Sequence, residues 1–468
     1  MLFNSLHFIF FLPIVVLLYY LIAHKYRWAL LFIASSYFYS VFYLPYLFIL
    51  YAVILIDYVC GLLIEKNEGR RRWWWLLASI ISNIGLLGYF KYTNFFIDIF
   101  NEIAPLVHVS KHIKNLDIIL PIGLSFHTFQ SLSYTIEVYR KKQKAEKHIG
   151  YFANYVLFFP QMVAGPIERY DRLGNELRIN QRLSYDNISH GLRLVLYGLF
   201  VKMCIADNLA PLVDEVYQAP QNYYSSSIWL AMIAFAIQIY ADFYGYSTVA
   251  LGAARILGIH LMDNFKQPYF AKGIQDFWKR WHISLSTWFR DYVFFSMGGS
   301  RVKTFRWIIN VLFLFALSGF WHGANYTFII WGLLHGIAYL LDKGISNYLP
   351  NQIKQMKLYS ILSMLVTFMV VVIIWVFFRA KDLTSSLVIL EQSINYGFEA
   401  YKHIEVSWIP LSMLGIFILF EIAILDSRID NWIASKHITF RWLVYGLLTM
   451  CLLLFSGIKS IPFIYFQF

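Results

Sequence analysis

Apolar segments recur along the whole chain, and most are close to the length of a membrane-spanning helix. Thirteen such segments are visible, at 5–23, 28–44, 46–64, 73–100, 116–136, 151–167, 188–205, 228–251, 307–322, 326–341, 359–378, 407–425 and 441–458. We expect helices, because backbone that faces lipid must satisfy its own hydrogen bonds. Several segments are shorter than the ~20 residues of a full crossing, so fewer of them should be true spans. The pattern predicts an all-α polytopic membrane protein with one domain, 1–468.

The loops between these segments differ in charge. Lysines and arginines concentrate at 25–27, 66–72 and 140–147, which are alternate loops, and cytoplasmic loops of membrane proteins carry such an excess. This predicts that the N-terminus lies on the opposite side from the cytoplasm. Segment 151–167 has basic residues on both sides and contains two prolines, which predicts a re-entrant hairpin. An ordinary span is the alternative.

Composition supports a membrane location and argues against other classes. Charged residues make up 14% of the chain, against about 25% in soluble proteins. The net charge of +12 lies largely in short loops, as topology signals do, so we expect the lipid bilayer and not nucleic acid as a partner. The three cysteines lie far apart and no HExxH or CxxC occurs, so no metal site is expected. Segment 5–23 lacks the flanks of a cleaved signal peptide, which predicts a retained first span.

The stretch 276–292 has the pattern of an amphipathic helix. At about 100° per residue, one face carries apolar and aromatic side chains together with His282, and the other carries the charged ones. A basic, aromatic-rich helix of this kind tends to lie in the membrane interface. His282 is an ionisable ring on the apolar face, which makes it a candidate site residue. An interfacial histidine with no chemical role is the alternative.

A second stretch, 307–341, contains no Asp, Glu, Lys or Arg. As one helix it would be about 50 Å long, against a hydrocarbon core of ~30 Å, so it must turn or break. The residues at 318–325 predict the break there, with His322 and Asn325 at an irregular, buried point. A neutral histidine can accept the proton of an attacking hydroxyl, which suits acyl transfer. A helix-packing histidine is the alternative.

Two further polar residues lie among apolar ones. A continuous helix would separate the rings of His322 and His335 by ~20 Å, so joint metal ligation is not expected. Asp242 carries the one formal charge within 228–251, and it is either a buried site residue or a residue that pairs to orient helices. No phosphate loop and no G-x-S-x-G motif occurs, so the chain has no evident soluble hydrolase of its own.

Six ordered blocks resemble the membrane-bound O-acyltransferases. The blocks are FFPQMVAGPIE (158–168), IQIYADFYGYS (237–247), NFKQPYF (264–270), DFWKRWHISLSTWFRDYVF (276–294), GGSR (298–301) and GFWHGANYTFIIWGLLHG (319–336). The opening MLFNSLHFIFFLPIV is also similar to the bacterial branch of alginate and peptidoglycan O-acetyltransferases. The similarity extends over essentially the whole chain and is densest at about 118–342.

The resemblance implies both a fold and an activity. The fold is a ring of about 10–13 tilted transmembrane and re-entrant helices around a central funnel, which the acyl donor enters from the cytoplasm. The family's catalytic histidine corresponds to His322 and its second motif histidine to His282. The donor would be acetyl-CoA, with no bound cofactor, and the acetyl group would pass to a periplasmic SGNH-type acetyltransferase that modifies a cell-surface polysaccharide. The protein would lie in the bacterial cytoplasmic (inner) membrane.

The resemblance also concerns residues outside the two histidine motifs. The carboxy-terminal FIYFQF (463–468) is similar to a motif whose tyrosine, here Tyr465, is an acyl acceptor or a partner-docking residue. An aromatic anchor at the membrane interface is the alternative. Relatives often carry a carboxylate where this chain has Thr248, so no role is carried over to that position. Three charged residues would support the interfacial helix: Asp276, Arg290 and Asp291.

Two other functions remain open at this point. The first is D-alanyl transfer to teichoic acids, which uses a thioester on a carrier protein; the GGSR block after the RWH motif favours acetyl transfer over it. The second is a polymer or lipid transporter. It predicts internal repeats and several charged residues inside the spans, and neither is evident.

Overall fold

The structure is a computed structural model that describes residues 1–108, 112–163, 165–395, 402–425, 427–456 and 461–466, with Phe466 described by its backbone alone. Within these ranges the regular structure is helical, apart from one isolated β-bridge between Tyr223 and Lys402. The α-helices are α1 Leu6–Leu21, α2 His24–Ser40, α3 Leu44–Lys66, α4 Gly69–Leu87, α5 Thr93–Ile103, α6 Leu124–Tyr139, α7 Ile149–Leu157, α8 Tyr170–Glu176, α9 Tyr185–Phe200, α10 Asp207–Gln218, α11 Ser225–Ile256, α12 Ile274–Arg280, α13 Ile283–Phe289, α14 Thr304–His322, α15 Tyr326–Tyr348, α16 Asn351–Gln355, α17 Lys357–Arg379, α18 Leu383–Ile394, α19 Trp408–Ala423, α20 Ile429–Ala434 and α21 Ile438–Phe455. The π-helical segments are Gly88–Tyr92, Val201–Ala206 and Arg290–Phe294, and the 3-10 segments are Ala104–Val107, Pro220–Asn222, Pro268–Phe270, Phe295–Met297 and Ile464–Phe466.

Eight helical stretches in the described chain are long and apolar enough to cross a membrane. They are Leu44–Lys66, Gly69–Val107, Tyr185–Gln218, Ser225–Ile256, Thr304–His322, Tyr326–Tyr348, Lys357–Arg379 and Ile438–Phe455. Helices α1, α18 and α19 are apolar but shorter. The all-α polytopic fold is therefore confirmed, as is the expectation that not all of the apolar segments are full-length spans. The ring of helices around a funnel stays an expectation.

Contacts between Cα atoms divide the chain into two compact units. Unit 1 comprises residues 1–189 and 253–262, and unit 2 comprises residues 190–252 and 263–468. The expected single domain stays a prediction. All the candidate site residues lie in unit 2.

Unit 1 contains a buried carboxylate where three of its helices pack together. Asp57 of α3 accepts hydrogen bonds from Ser79 Oγ (2.7 Å) and Asn83 Nδ2 (2.8 Å), both on α4. Ser79 Oγ also lies 3.0 Å from Thr135 Oγ1 of α6. Because a buried polar group without partners is costly, these bonds fix how α3, α4 and α6 align.

The helix predicted at 116–136 is shorter than expected. It begins at Leu124, because Pro121 and Gly123 prevent an earlier start. Gly123 has a φ of +75°, in the left-handed region, and a Cβ there would lie 2.8 Å from the carbonyl oxygen of Met162. The apolar residues before this turn are therefore not part of α6.

The prediction for segment 151–167 can be tested against its helix. Helix α7 has nine residues and ends at Leu157, shortly before Pro160. Nine residues of helix measure ~14 Å, about half the hydrocarbon thickness, so the alternative of an ordinary helical span is wrong. Proline cannot donate a backbone hydrogen bond and disfavours a helical residue before it. The re-entrant hairpin itself stays a prediction.

The break predicted at 318–325 is present in unit 2. Helix α14 ends at His322 and α15 begins at Tyr326, which confirms that 307–341 is two helices. The two helices approach closely at a pair of glycines. A Cβ on Gly319 would lie 2.1 Å from the carbonyl oxygen of Phe328 and 3.3 Å from the Cα of Gly332. Small residues at the contact let the helix backbones pack this tightly.

Candidate functional site

His322 is the last residue of α14 and is 4% exposed. Its imidazole is enclosed by aromatic side chains from both sides of the helix break and from the carboxy-terminal part of the chain. The distances between ring centroids are 4.8 Å to Trp321, 5.1 Å to Trp331, 5.3 Å to Phe378 and 5.6 Å to Tyr465. The histidine is thus buried at the end of a helix, where the sequence predicted it.

The surroundings of His282 differ from the prediction. The prediction of a single amphipathic helix over 276–292 is wrong, because α12 ends at Arg280 and α13 starts at Ile283. His282 lies between them with a φ of +42° in the left-handed region and is 0% exposed. The break is stabilised by segment 264–266. The Lys266 N–H donates to the Arg280 carbonyl (3.0 Å), and the Asn264 carbonyl accepts from the Ile283 N–H (2.9 Å).

Five rings form a closed cycle that brings the two histidines and Tyr465 together. Phe243 of α11 contacts both His282 and Tyr465, and Trp321 contacts both His282 and His322. Around the cycle, the centroid distances are 4.7 Å for His282–Phe243, 4.8 Å for Phe243–Tyr465, 5.6 Å for Tyr465–His322, 4.8 Å for His322–Trp321 and 6.4 Å for Trp321–His282. We call these five residues the aromatic cycle.

Burial controls the protonation of two members of the aromatic cycle. It lowers the pKa of His282 to about 3, so this imidazole is neutral at physiological pH. Burial also raises the pKa of the Tyr465 phenol above its usual value, so the phenol keeps its proton unless a base removes it. Within the described ranges the Tyr465 hydroxyl is buried and has no hydrogen-bond partner. A bound ligand could fill that place, because buried hydroxyls are normally bonded.

A polar cavity of about 570 Å³ lies in unit 2 near the aromatic cycle. Its charged lining residues are Asp263, Lys266, Asp276, Arg280 and Arg428. Arg280 pairs with Asp276 (2.9 Å), and Arg428 lies 3.6 Å from Asp263 and bonds to Asp430. Lys266 is exposed and makes no ion pair in the part of the chain that the structure describes. Its ammonium is therefore available to an anionic ligand.

The cavity and the aromatic cycle share a wall. Phe265 lines the cavity, and its ring centroid is 5.0 Å from that of Phe243. Asn264 lines it too, and its Oδ1 accepts a hydrogen bond from Ser284 Oγ (2.6 Å), two residues after His282. A ligand in the cavity would therefore lie against residues that contact Phe243 of the aromatic cycle and the helix after His282.

The other predicted residues lie around this arrangement with local partners. Asn325 caps α15 by accepting from the Thr327 N–H (3.1 Å), and its Nδ2 donates to the Lys381 carbonyl (3.0 Å). Arg290 and Asp291 pair with each other (2.9 Å) in the π-helical segment after α13. The structure brings none of these three into the aromatic cycle. Thr248, at the position where relatives often carry a carboxylate, lines the cavity. Its hydroxyl donates a hydrogen bond to the Tyr244 carbonyl (2.6 Å).

His335 lies much closer to His322 than a continuous helix would allow. The estimate of ~20 Å assumed helix between them, but α14 and α15 turn back on each other. Trp331 lies between the two imidazoles, with its ring 5.1 Å from His322 and 4.9 Å from His335. Among the residues described, no group of three or more His, Cys, Asp or Glu could hold a metal ion.

Sequence comparisons identify the family of this chain. The sequence model of MBOAT, the membrane-bound O-acyltransferase family, matches residues 124–381, which is more than half of the chain and contains both candidate histidines. The chain belongs to this family. The predicted acyltransferase activity is thereby confirmed, and the transporter alternative is disfavoured.

The relatives of this acyltransferase include proteins named for three activities: O-acetylation of alginate, O-acetylation of peptidoglycan and D-alanyl transfer to teichoic acid. A Probable alginate O-acetylase of Pseudomonas aeruginosa is 39% identical over 403 residues, covering 85% of this chain and 75% of that protein. A Peptidoglycan O-acetyltransferase of Helicobacter pylori is 35% identical over 439 residues, covering 86% and 82%. A Teichoic acid D-alanyltransferase of Bacillus subtilis is 31% identical over 242 residues, covering 50% and 61%.

Several residues around the site were not predicted from the sequence. Lys202, in a π-helical segment, pairs with Asp242 and also with Asp207, which follows that segment. Nothing in the sequence pairs Lys202 with a residue some 40 positions away. The close contact of α14 and α15 did have a signal, because each helix region carries a G-x-x-x-G pattern, at 319–323 and 332–336.

Proposed function

We propose that this acyltransferase takes acetyl from cytoplasmic acetyl-CoA and passes it across the bacterial cytoplasmic membrane for O-acetylation of a cell-surface polysaccharide. A separate periplasmic SGNH-type acetyltransferase would complete the transfer. The relatives named for alginate and peptidoglycan O-acetylation match most of this chain, whereas those named for D-alanyl transfer match about half of it. This difference supports acetyl over D-alanyl as the group transferred.

The observation that carries the proposal is the aromatic cycle. It holds a buried histidine at a helix end next to a phenol that has no hydrogen-bond partner among the described residues. In the proposed step, the Tyr465 hydroxyl attacks the thioester carbonyl of acetyl-CoA while His322 accepts its proton. The C–S bond breaks, a C–O bond forms, and the proton passes from His322 to the departing CoA thiolate. The acetyl ester of Tyr465 would then be handed to the partner enzyme.

The second histidine and the cavity would serve the donor. His282 is neutral and buried, so it can donate one hydrogen bond to polarise or position a carbonyl without adding a charge. The cavity has polar walls and a lysine without an ion-pair partner in the described chain, which suits a donor that carries phosphate groups. The acyl end of such a donor would point along Phe265 and Phe243 towards the cycle. Asp276 would hold Arg280 at the cavity wall.

The test is acetyl transfer from radiolabelled acetyl-CoA in proteoliposomes, with His322→Ala as the main variant. General-base contributions of about 10²–10⁴-fold are typical, so labelled product should fall by at least 100-fold. His437→Ala is the matched control, because His437 is also in unit 2 but is exposed at the start of α21. Normal transfer by His322→Ala would refute the assignment.

A second variant tests whether the Tyr465 hydroxyl accepts the acetyl group, separately from the role of His322. Tyr465→Phe keeps the ring contacts and removes the hydroxyl. If Tyr465 is the acceptor, wild-type protein retains label that peptide mapping places at 463–466, and Tyr465→Phe retains none. Label retained by Tyr465→Phe would exclude the acetyl-tyrosine. Labelling by a D-alanyl carrier protein and not by acetyl-CoA would favour D-alanyl transfer, and a pure transporter would leave no covalent label.

A further inference from the structure

A buried cluster of one lysine and two aspartates lies next to the aromatic cycle. Lys202 Nζ is 2.7 Å from Asp207 Oδ1 and 2.6 Å from Asp242 Oδ1, and all three side chains are almost fully buried. The other carboxylate oxygen, Asp242 Oδ2, accepts a hydrogen bond from the backbone N–H of Ile464 (2.6 Å). Asp242 therefore connects the lysine to the carboxy-terminal segment, residues 461–466.

Stability alone is a weak reason for this cluster. Burying an ion pair costs desolvation energy, and apolar residues in its place are often as stabilising. Two carboxylates and one ammonium also leave one negative charge in excess when all are ionised. A backbone N–H directed at Asp242 partly offsets that excess, because hydrogen bonds to a charged acceptor are stronger than neutral ones.

Helix α11 offers the carboxy-terminal segment a binding surface around this hydrogen bond. Phe463 packs 5.0 Å from Tyr246, whose ring is also 5.4 Å from the Lys202 ammonium. Tyr465 packs 4.8 Å from Phe243. Phe463 also packs 5.6 Å from Phe243. Ile464 lies between Phe463 and Tyr465, so the segment is held by one main-chain hydrogen bond and three ring contacts from the same helix.

We propose that Asp242 is a positioning residue that docks the carboxy-terminal segment onto α11, with Lys202 fixing its side chain. Docking places Tyr465 against His322 in the aromatic cycle. The catalytic consequence rests on the proposed function, whereas docking itself does not. The ion pair of Asp242 with Lys202 is of the kind that its second interpretation predicted, and the docking task is our addition to it.

The test is the accessibility of a thiol in the segment. Phe463→Cys is introduced after the native cysteines, Cys60, Cys204 and Cys451, are replaced by alanine. Phe463 is 0% exposed, so N-ethylmaleimide should react slowly while the segment is docked. Asp242→Asn should raise the labelling rate about tenfold or more, because the charged partner of the Ile464 N–H is lost.

Asp207→Asn is the matched control. It removes the other carboxylate from Lys202 but leaves the bonds of Asp242 to Lys202 and Ile464, so labelling should change less than about twofold. Ile464→Pro tests the same bond from the other side. Proline has no N–H, and the substitution leaves the buried cluster intact, so labelling should rise as in Asp242→Asn.

The outcomes decide between docking and general destabilisation. Unchanged labelling in Asp242→Asn and Ile464→Pro would overturn the proposal, as would an equal rise in Asp207→Asn. Thermal unfolding of each variant shows whether it folds. If Asp242→Asn does not fold, the labelling rate of Ile464→Pro decides between docking and general destabilisation. If labelling follows the expected pattern but the wild-type protein does not transfer acetyl from acetyl-CoA, docking stands and the proposed function fails.

Discussion

Replacing Gly332 with alanine perturbs the site without touching either candidate histidine. Gly332 lies on α15 where this helix packs closely against α14. A Cβ at this position would lie 2.2 Å from the carbonyl oxygen of Phe315, and 2.9 Å from its carbonyl carbon. Both of these neighbours are backbone atoms, so no side chain can rotate away. The two helices must therefore separate.

The size of the effect follows from the contact distance. Ordinary contacts begin near 3.4 Å, so the helices must move apart by about 1 Å, and overpacking of this kind costs typically 1–3 kcal/mol. The neighbouring residue, Trp331, packs directly on His322. A displacement of about 1 Å at a reacting group can reduce the rate about 100-fold. We expect acetyl transfer to fall far more than the thermal stability of the protein.

The assay compares acetyl transfer and Tm for Gly332→Ala and Gly344→Ala. Gly344 is on the same helix, but a Cβ there has no atom within 4 Å. Alanine at such a site should leave activity unchanged and raise stability by about 0.4–1 kcal/mol, because it reduces the entropy of the unfolded chain. If Gly332→Ala behaves like Gly344→Ala, the α14–α15 contact does not position His322.

Two other predictions concern the cavity and unit 1. Lys266→Ala should raise the KM for acetyl-CoA several-fold and leave kcat nearly unchanged, because Lys266 would contact phosphate and not the reacting carbonyl; an effect on kcat alone would contradict this. Burial raises the pKa of Glu168 to about 7, although Arg172 lies 3.9 Å away. The folded state thus holds this proton more tightly than the unfolded state, so stability is greatest below the usual pKa and is lost as pH rises through about 7. The Tm should fall between pH 5 and pH 8, and Glu168→Gln should reduce that fall; identical pH profiles would contradict the assignment.

The parts of the site that could be predicted depend on local sequence. The charge-free stretch 307–341 is too long for one crossing, so a break follows from its length, and the residues at 318–325 place that break at His322. The break at His282 has no such signal. The sequence around it fits one amphipathic helix, and the chain leaves that helix because segment 264–266 bonds to the backbone on both sides of His282. Such competition between distant segments is invisible to periodicity.

The same limit applies to the pairing of distant residues. Asp242 stands out in the sequence as a lone charge, and a pairing role was one of its two interpretations. Its partners come from a π-helical segment and from the carboxy-terminal segment, more than 200 residues further on. Conversely, Pro121 and Gly123 are local signals that a helix should not begin before Leu124. The prediction over 116–136 gave more weight to the apolar content of the segment than to these two residues. Breaking residues should therefore be weighed before the apolar content of a segment.

The rings of the aromatic cycle that could take part in chemistry lie outside the interior of the long α-helices. His322 ends α14, His282 separates α12 from α13, and Tyr465 lies in a short 3-10 segment. A residue inside a straight apolar helix points at fixed neighbours, whereas one at a helix end can be aimed by the chain that follows it. The rings that complete the cycle, Phe243 and Trp321, are inside helices and do not need to be aimed. The precision of the site therefore depends on the packing that fixes these three positions, and substitutions at the glycine contact or at Asp242 should damage chemistry before they damage the fold.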